Sequence, residues 1–310
     1  MDLHDVSFAD GRRLGNLASL SRCDEGTARV VVHTAAMQID TLRALPRPLA
    51  YVLPGGGALA AYQVGVLDAL TAAGLRPDRL IGVSAGAMNA ALFAWSSDAD
   101  GVRRIERIWS GVKRRDLLRV HPGRLALALA GKRASFLDNR HGIVFLRKNL
   151  GSRLIEHAPI PLTIIATDLA TGRPFALESG DVVTAIVASS AFPGVFPPIE
   201  IDGHILIDGG VVADVPLDVA DQLGVASVIV VTVPPLAPTP VPQHPVSVVL
   251  RSSTWGVEAH GRTIVARPPD GMRVIEIPSQ PSSVTTFAVG SAAATIEEAR
   301  RFTTAWLQSD

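Results

Sequence analysis

Ile81-Gly82-Val83-Ser84-Ala85-Gly86-Ala87 is the stretch that decides how this chain of 310 residues folds. A short apolar run enters a Gly-x-Ser-x-Gly turn, and an alanine-rich segment that favours helix follows it to about Trp95. Glycines at 82 and 86 leave room for a sharp strand-to-helix turn that strains the serine backbone and exposes its hydroxyl. The helix directs unpaired N–H groups and its positive dipole end toward Ser84. The pattern predicts a nucleophile elbow, against the alternative of a packing turn made of small residues.

A turn of consecutive glycines precedes the elbow. Gly55, Gly56 and Gly57 follow the apolar run 49–53 and lead into a helix-like segment. Glycines between a strand and a helix expose backbone N–H groups that hold phosphates or oxyanions. A nucleotide-binding P-loop would continue with Gly-Lys-Ser/Thr, whereas this chain has Ala-Leu-Ala at 58–60, so we expect no nucleotide site. Because consecutive parallel strands usually lie side by side, we expect both turns at one edge of a sheet.

The rest of the chain alternates strand and helix signals, which predicts an α/β fold with a predominantly parallel sheet. In the first helix, apolar residues at helical spacing predict one apolar face against that sheet; they are Tyr62, Val66, Leu67 and Leu70. Further helices are expected after caps at Asp98 or Asp100 and at Asp181, and from Pro216. Hairpins are expected from the strand 161–168 with its turn at 171–174 and at 199–207, strands at 226–233 and 272–277, and a last helix at 292–307. Residues 1–48 are interpreted as an N-terminal extension, a small β appendage or extra edge strand, and residues 49–310 as the main domain.

Composition excludes several classes of protein. The chain is 47% hydrophobic, enough for a large core in one α/β domain. Its net charge of zero gives no reason to expect nucleic acid as a partner. The single cysteine, Cys23, excludes an intramolecular disulfide and fits a reducing compartment. The first residues do not resemble a signal peptide, and no apolar run approaches the about 18 residues of a membrane span, so we expect a soluble cytoplasmic protein. No metal-ligand spacing stands out, and we expect neither metal nor cofactor.

Residues 103–133 are strongly basic and contain an apolar stretch at 125–130. One interpretation is a solvated helix face over a core segment. The other is a lid or docking surface, where cations meet anionic lipid head groups and leucines enter the interface. The second interpretation predicts peripheral membrane contact.

A serine hydroxyl needs a base before it becomes a useful nucleophile. The chain has eight histidines, and the order Ser84, Asp208, then His244 or His260 matches a Ser-His-Asp triad. A solution without histidine is also available. Asp208 follows an apolar run and precedes two glycines, so its carboxylate can approach another loop. The apolar residues at 205–207 and 211–212 are expected to desolvate this carboxylate and raise its pKa.

Three separated motifs resemble the patatin-like phospholipase family. They are Gly55-Gly56-Gly57 with its following helix, Gly82-Val83-Ser84-Ala85-Gly86, and Asp208-Gly209-Gly210. The likeness extends to 166–169, to 188–198 and to 208–216, and it covers about 49–310. The resemblance implies a three-layer α/β/α fold and a lipid acyl hydrolase with a Ser-Asp dyad.

By resemblance, Ser84 is the nucleophile and Asp208 is the base. The amides of Gly55, Gly56, Gly57 and Ala58 form the oxyanion hole, and Gly82, Gly86, Gly209 and Gly210 are the motif glycines. The resemblance implies a phospholipase A, lysophospholipase or esterase-like enzyme of lipid metabolism that cleaves carboxylic esters through an acyl-serine intermediate. Its partner is a lipid or ester substrate.

The chain departs from the family pattern at several positions. Leu59 and Ala60 stand where the family usually has Arg and Gly, and Pro54 where an acidic or polar residue is common. The lost arginine removes a positive charge and so weakens the expectation of a phosphate head group, although the backbone donors are unaffected. Asp214 replaces the usual Asn and either supports the Asp208 loop or faces solvent. These departures leave open a catalytically weak, lipid-binding regulatory protein on the same fold.

Overall fold

The computed structural model describes residues 31–32, 39–113, 123, 127–128, 130–237, 241, 243–282 and 289–309. Most of the N-terminal extension, including Cys23, lies outside these residues. So does much of the basic and apolar region 114–129. The predictions of a β appendage and of a membrane-docking surface therefore fall largely outside the described residues.

Nine strands of the described chain form one sheet. Their bounds are β1 Val31–Val32, β2 Leu49–Leu53, β3 Arg79–Val83, β4 Leu162–Asp168, β5 Arg173–Leu177, β6 Ile199–Ile201, β7 His204–Asp208, β8 Ser227–Val230 and β9 Arg273–Glu276. The order is β1-β9-β8-β2-β3-β4-β7-β6, and β5 also pairs with β4. All pairs from β1 to β4 are parallel, whereas β4 pairs antiparallel with β5 and β7, and β6 pairs antiparallel with β7. The prediction of a predominantly parallel sheet is confirmed.

Helices cover both faces of the sheet. Their bounds are α1 Ile39–Arg43, α2 Ala61–Ala72, α3 Ala85–Trp95, α4 Ala99–Gly111, α5 Arg140–Leu150, α6 Val182–Ser189, α7 Gly210–Ala213, α8 Leu217–Gln222, α9 Pro245–Val265 and α10 Ala292–Gln308. Asp98 and Asp181 accept hydrogen bonds from the first turns of α4 and α6, as predicted for helix caps. Among the described helices, none is both long enough and apolar enough to cross a membrane.

Alternating side chains of β2 show the layers directly. Leu49, Tyr51 and Leu53 belong to a large core with α2, α3, α4, α6 and α10, while Ala50 and Val52 belong to a smaller core with α8 and the end of α9. Since a strand buried on both faces must be covered by helices on both faces, the fold is a three-layer α/β/α sandwich.

The expectation of one apolar face on α2 is wrong, because this helix is buried on nearly all sides. Helix α10, from the far end of the chain, covers the side of α2 that the sheet does not. Gly65 permits the contact, since a Cβ atom there would stand 2.2 Å from the Ile296 carbonyl oxygen. Arg300 on α10 reinforces the packing through ion pairs of 2.5 Å with Asp68 and 2.6 Å with Glu106.

The part of residues 1–48 that the structure describes joins the main fold. Val31–Val32 is an edge strand that pairs in parallel with β9. Leu42 of α1 is buried in the large core, only 1% exposed.

Strand register determines which residues meet at the sheet edge. Val83, the last residue of β3, pairs with Ile165 of β4, and the next residue of β4, Ala166, pairs with Asp208 at the end of β7. Because β7 runs antiparallel to β4, the end of β7 arrives beside the end of β3. The residue after β3 is Ser84, so the sheet brings Ser84 and Asp208 together.

Candidate active site

Ser84 occupies a strained turn between β3 and α3. Its φ of 53° and ψ of −124° lie in a region that residues with a side chain rarely adopt. Both flanking glycines are sterically required. A Cβ on Gly82 would stand 2.5 Å from Ala87 Cα, and one on Gly86 would stand 2.1 Å from the Leu53 carbonyl oxygen. The sequence prediction of a strained serine turn agrees with this geometry.

Ser189, at the end of α6, anchors the turn. The Ser84 N–H donates to Ser189 Oγ at 2.8 Å, and that hydroxyl donates to the Ile165 carbonyl at 2.5 Å. Ser189 is fully buried, so both bonds are shielded from water. No local pattern marks Ser189 for this role, because its two partners lie 105 and 24 residues away in the chain.

The hydroxyl of Ser84 donates a hydrogen bond of 2.8 Å to Asp208 Oδ2. The other carboxylate oxygen accepts from the Gly210 N–H at 2.9 Å. Asp208 is only 5% exposed, and this burial raises its pKa to about 6, while the bonds from Ser84 and Gly210 act in the opposite direction. Asp208 is therefore mainly ionised at pH 7, but it is a stronger base than an ordinary aspartate.

The expected source of this desolvation is partly wrong. Leu206 and Ile207 are buried, but Ile205 and Val211 are 39% and 40% exposed and contribute little. Asp208 is instead buried by the close passage of β4, since a Cβ on Gly209 would stand 2.2 Å from a carbonyl oxygen of that strand. The glycine after the acid is needed for this approach.

Further hydrogen bonds fix the backbone around Asp208. Thr167 Oγ1 donates to the Asp208 carbonyl at 2.9 Å, and the Asp208 N–H donates to the Ala191 carbonyl at 3.1 Å. The Gly209 N–H donates to the Ser189 carbonyl at 3.2 Å. The segment that anchors the serine turn therefore also holds the acid.

The glycine loop, residues 54–57, lies beside Ser84. Gly56 has a φ of 153° and Gly57 a φ of 58°, conformations that favour glycine. A Cβ on Gly55 would stand 3.8 Å from Ser84 Oγ. Within the described residues, the N–H groups of Gly56, Gly57 and Ala58 have no protein acceptor and are available to a ligand.

The remaining amide of the predicted oxyanion hole is already engaged. The Gly55 N–H donates to Asp214 Oδ1 at 2.8 Å. Asp214 is 9% exposed and does not face solvent, so of the two predicted roles it takes the structural one. Its pKa is raised to about 7, mainly by burial and also by the neighbouring carboxylates of Asp208 and Glu258, while the bond from the Gly55 N–H acts in the opposite direction.

A buried network of polar side chains links the glycine loop to three helices. Gln63 Nε2 donates to the Pro54 carbonyl, and Gln63 Oε1 accepts from Asn89 Nδ2, both at 2.8 Å. Asn89 Oδ1 in turn accepts from the Trp109 indole N–H at 2.8 Å. Since these groups satisfy one another in the core, they fix the loop relative to α2, α3 and α4. Sequence reasoning missed this network.

The two histidines of the alternative triad lie at the start of α9 and within it. His244 is the residue before the helix and is exposed, and His260 is exposed with its ring 3.1 Å from the Val212 carbonyl. The group that Ser84 contacts is the carboxylate of Asp208. Asp168 accepts hydrogen bonds from the N–H groups of Ala170 and Thr171 and so caps a turn.

A largely apolar cavity of about 640 Å³ opens over Ser84 and Asp208, within the size range of small-molecule sites. Its apolar lining residues include Met88, Phe145, Leu146, Phe192, Phe196, Val233, Pro234, Leu236 and Ile277. Arg262 is the one cation among the described lining residues, and it pairs with Glu258 at 2.6 Å. In the described ranges, no group of three or more His, Cys, Asp or Glu side chains is arranged to hold a metal ion.

The fold and the strained serine turn define the class of protein: an α/β protein with a strand–serine–helix turn of the geometry found at nucleophile elbows. The model of the family described as "Patatin-like phospholipase" matches residues 51–221. The chain belongs to this family, and membership supports a lipid-hydrolase function.

Relatives share this region of the chain. The neuropathy target esterase sws of Drosophila melanogaster is 29% identical over 229 residues, which cover 72% of this chain and 16% of that protein. An NTE family protein of Mycobacterium tuberculosis is 32% identical over 174 residues, covering 56% and 28%. The patatin-like phospholipase domain-containing protein 7 of Mus musculus is 30% identical over 197 residues, covering 60% and 13%. The chain thus spans less than a third of the length of each of these relatives.

Two solved structures have similar chains. VipD from Legionella pneumophila has a TM-score of 0.38 and 14% identity, with coverage of 84% of this chain and 67% of that one. ExoU in its complex with SpcU from Pseudomonas aeruginosa has a TM-score of 0.35 and 18% identity, with coverage of 86% and 53%.

Proposed function

We propose that this protein is a serine lipid acyl hydrolase that cleaves carboxylic esters with a Ser84–Asp208 dyad. The observation that carries the proposal is the hydrogen bond of 2.8 Å from the hydroxyl on the strained turn to a buried carboxylate. A hydroxyl becomes a nucleophile when a base accepts its proton, and Asp208 is in direct contact with that proton.

Acylation begins when Asp208 Oδ2 takes the proton and Ser84 Oγ attacks the ester carbonyl carbon. The carbonyl π electrons move to oxygen, and the N–H groups of Gly56, Gly57 and Ala58 are the donors available to the oxyanion. The intermediate then expels the alcohol, which receives its proton from Asp208, and the acyl group remains on Ser84. Asp208 returns to the carboxylate form.

Deacylation repeats these steps with water. Asp208 accepts a proton from water, the oxygen attacks the acyl-serine carbonyl, and the second oxyanion forms at the same donors. Collapse releases the carboxylic acid, and the proton on Asp208 returns to Ser84 Oγ. This cycle consumes one water for each ester cleaved and uses only groups that lie beside the serine.

The cavity supports an acyl chain as the part of the substrate that is bound. Its apolar walls bury hydrocarbon favourably. Leu59 is 3% exposed and supplies no cation, and Arg262 already has a carboxylate partner. We therefore expect esters with uncharged head groups to be preferred over anionic phospholipids.

Reaction with a fluorophosphonate, followed by intact-protein mass and peptide mapping, tests the proposal. We expect one label per chain on Ser84, no label on Ser84→Ala, and wild-type labelling of Ser152→Ala, a matched change at an exposed serine. A panel of aryl ester, neutral glyceride, lysophospholipid and phospholipid then defines the substrate. Absence of label on folded wild-type protein would favour a lipid-binding regulatory protein and reject the enzyme. Peripheral membrane contact through 103–133 and a cytoplasmic location remain predictions.

A further inference from the structure

Asp214 lies in direct contact with the proposed machinery although it is not part of the dyad. It follows α7 and reaches across the site to the glycine loop, where its Oδ1 accepts from the Gly55 N–H at 2.8 Å. These two residues are 159 positions apart in the chain, so the bond ties the loop before α2 to the loop after β7.

Two glycines allow this carboxyl group to approach both members of the dyad. A Cβ on Gly55 would stand 3.1 Å from Asp214 Oδ1 and 3.1 Å from Ser84 Cβ. One on Gly210 would stand 3.2 Å from Asp208 Oδ1 and 3.3 Å from Asp214 Oδ1. Two carboxyl groups, both at most 9% exposed, and one hydroxyl therefore lie close together at one end of the cavity.

The charged groups around Asp214 oppose its ionisation. They are the carboxylates of Asp208 at the end of β7 and of Glu258 on α9, and Glu258 is itself paired with Arg262 at 2.6 Å. His260, also on α9, contacts the Val212 carbonyl. The glycine loop carries no charged side chain. Ionising both buried carboxyl groups costs more free energy than ionising one of them. One carboxyl group therefore loses its proton first, and the other keeps its proton to higher pH. The Asp208 carboxylate accepts hydrogen bonds from two donors, Ser84 and Gly210, whereas Asp214 accepts one from the Gly55 N–H. Asp208 therefore ionises first.

We propose that Asp214 is a positioning residue that holds the glycine loop as a neutral acid and slows hydrolysis when it ionises. This inference rests on the proposed function. The neutral carbonyl oxygen accepts the Gly55 bond as an amide oxygen would. Once ionised, the Asp214 carboxylate places a negative charge next to the N–H donors of the glycine loop. That charge repels the negative oxyanion that forms at those donors during hydrolysis.

The pH dependence of kcat/KM distinguishes these states. For the wild type we expect activity to rise through pH about 6, as Asp208 ionises, and to fall above about 7, as Asp214 ionises. Asp214→Asn keeps the Gly55 bond but cannot ionise, so its rise remains and its fall disappears; at pH 9 its kcat/KM should exceed that of the wild type by about tenfold or more. Asp214→Ala removes the acceptor and should lower kcat at every pH, with a smaller change in KM.

Asp221→Asn makes the same chemical change at an exposed acid of α8 and should reproduce the wild-type profile. Thermal unfolding of each variant checks that it is folded. An Asp214→Asn profile that falls at the same alkaline midpoint as the wild type would overturn the inference. So would equal kcat for folded Asp214→Ala and Asp214→Asn, because the Gly55 bond would then have no effect.

An infrared titration separates failure of the inference from failure of the proposed function. In the difference between wild type and Asp214→Asn, we expect the band of a protonated carboxyl at pH 6, lost as pH rises through about 7. This readout needs no turnover. If the wild type neither hydrolyses esters nor reacts with fluorophosphonate, the proposed function fails while the band still reports on Asp214. Absence of the band at pH 6 overturns the inference in either case.

Discussion

Asp168 and Asp208 lie on neighbouring antiparallel strands, and both are 5% exposed, yet their pKa values shift in opposite directions. The pKa of Asp168 is lowered, first by the contact of 2.6 Å between its Oδ2 and His204 Nδ1 and then by the backbone N–H of Thr171. The pKa of Asp208 is raised to about 6, because burial dominates over bonds from a hydroxyl and a single amide. Burial is the dominant cause at Asp208, whereas at Asp168 the contact with His204 and the bond from Thr171 outweigh it, so the balance between burial and partners determines the direction of each pKa shift.

The difference separates a structural acid from a candidate catalytic one. Asp168 holds a turn in a fixed shape, and its partners leave no oxygen facing Ser84. Asp208 has an uncharged partner that can give up a proton. The two acids therefore differ in their partners and in the direction of their pKa shifts, although their residue type and exposure are alike.

Hydrolysis should show the largest contrast between them. Asp208→Asn keeps the shape of the site but removes the base, so we expect kcat/KM to fall by about 10²–10⁴-fold. Asp168→Asn, the matched change, should leave kcat/KM near the wild-type value. Initial rates on an aryl ester at pH 7 make the measurement. Comparable losses in both variants would break the comparison.

The variants Asp208→Asn and Asp168→Asn should change the free energy of unfolding at pH 7 in opposite directions. Asp208 is harder to ionise in the folded protein than in the unfolded chain, so its charge costs stability as pH rises from about 4 to about 6. Asp208→Asn should then raise the free energy of unfolding at pH 7 by roughly 1–3 kcal/mol. Asp168 is easier to ionise in the folded protein than in the unfolded chain. Its carboxylate therefore stabilises the fold above pH about 4, and this stabilisation is lost as the pH falls through the lowered pKa. Asp168→Asn should accordingly lower the free energy of unfolding at pH 7.

Thermal and urea unfolding at pH 7 and pH 4 measure both effects. At pH 4 Asp208→Asn should converge toward the wild type, because Asp208 is then protonated in the folded protein. The difference between Asp168→Asn and the wild type should persist at pH 4 and be lost only at lower pH, because the pKa of Asp168 is lowered by folding. Destabilisation by Asp208→Asn at pH 7 would show that its hydrogen bonds outweigh the cost of the buried charge.

The smallest effects are expected from the histidines. His204→Gln removes the imidazole partner of Asp168 and should lower the melting temperature slightly without changing kcat. His244→Ala and His260→Ala should leave hydrolysis nearly intact, since neither residue contacts Ser84. Initial rates and melting curves of the three variants check this. If His244→Ala or His260→Ala lost as much activity as Ser84→Ala, the Ser-His-Asp alternative would be favoured.

Local chemistry explains what the sequence could predict. The serine turn, the hairpin at Asp202-Gly203 and the helix caps at Asp98 and Asp181 each depend on residues a few positions apart, and the structure has them where they were expected. The parallel pairing of β2 with β3 was also predictable, because consecutive strands joined by one helix usually lie side by side in a sheet.

Long-range contacts explain what was missed. Asp214 meets Gly55 across 159 residues and Ser189 meets Ser84 across 105, and no periodic pattern marks such pairs. The burial of α2 on nearly all sides depends on α10, which lies at the other end of the chain. The amphipathic pattern of one helix does not reveal what will cover its second side.

The rate at which fluorophosphonate labels Ser84, measured from pH 4.5 to about 8 in wild type and Asp208→Asn, tests the central claim most directly, since labelling requires the serine proton to leave. We expect the wild-type rate to increase through pH about 6, and the Asp208→Asn rate to remain low and flat. Labelling of folded Asp208→Asn at the wild-type rate, with the same dependence on pH, would contradict direct deprotonation of Ser84 by Asp208.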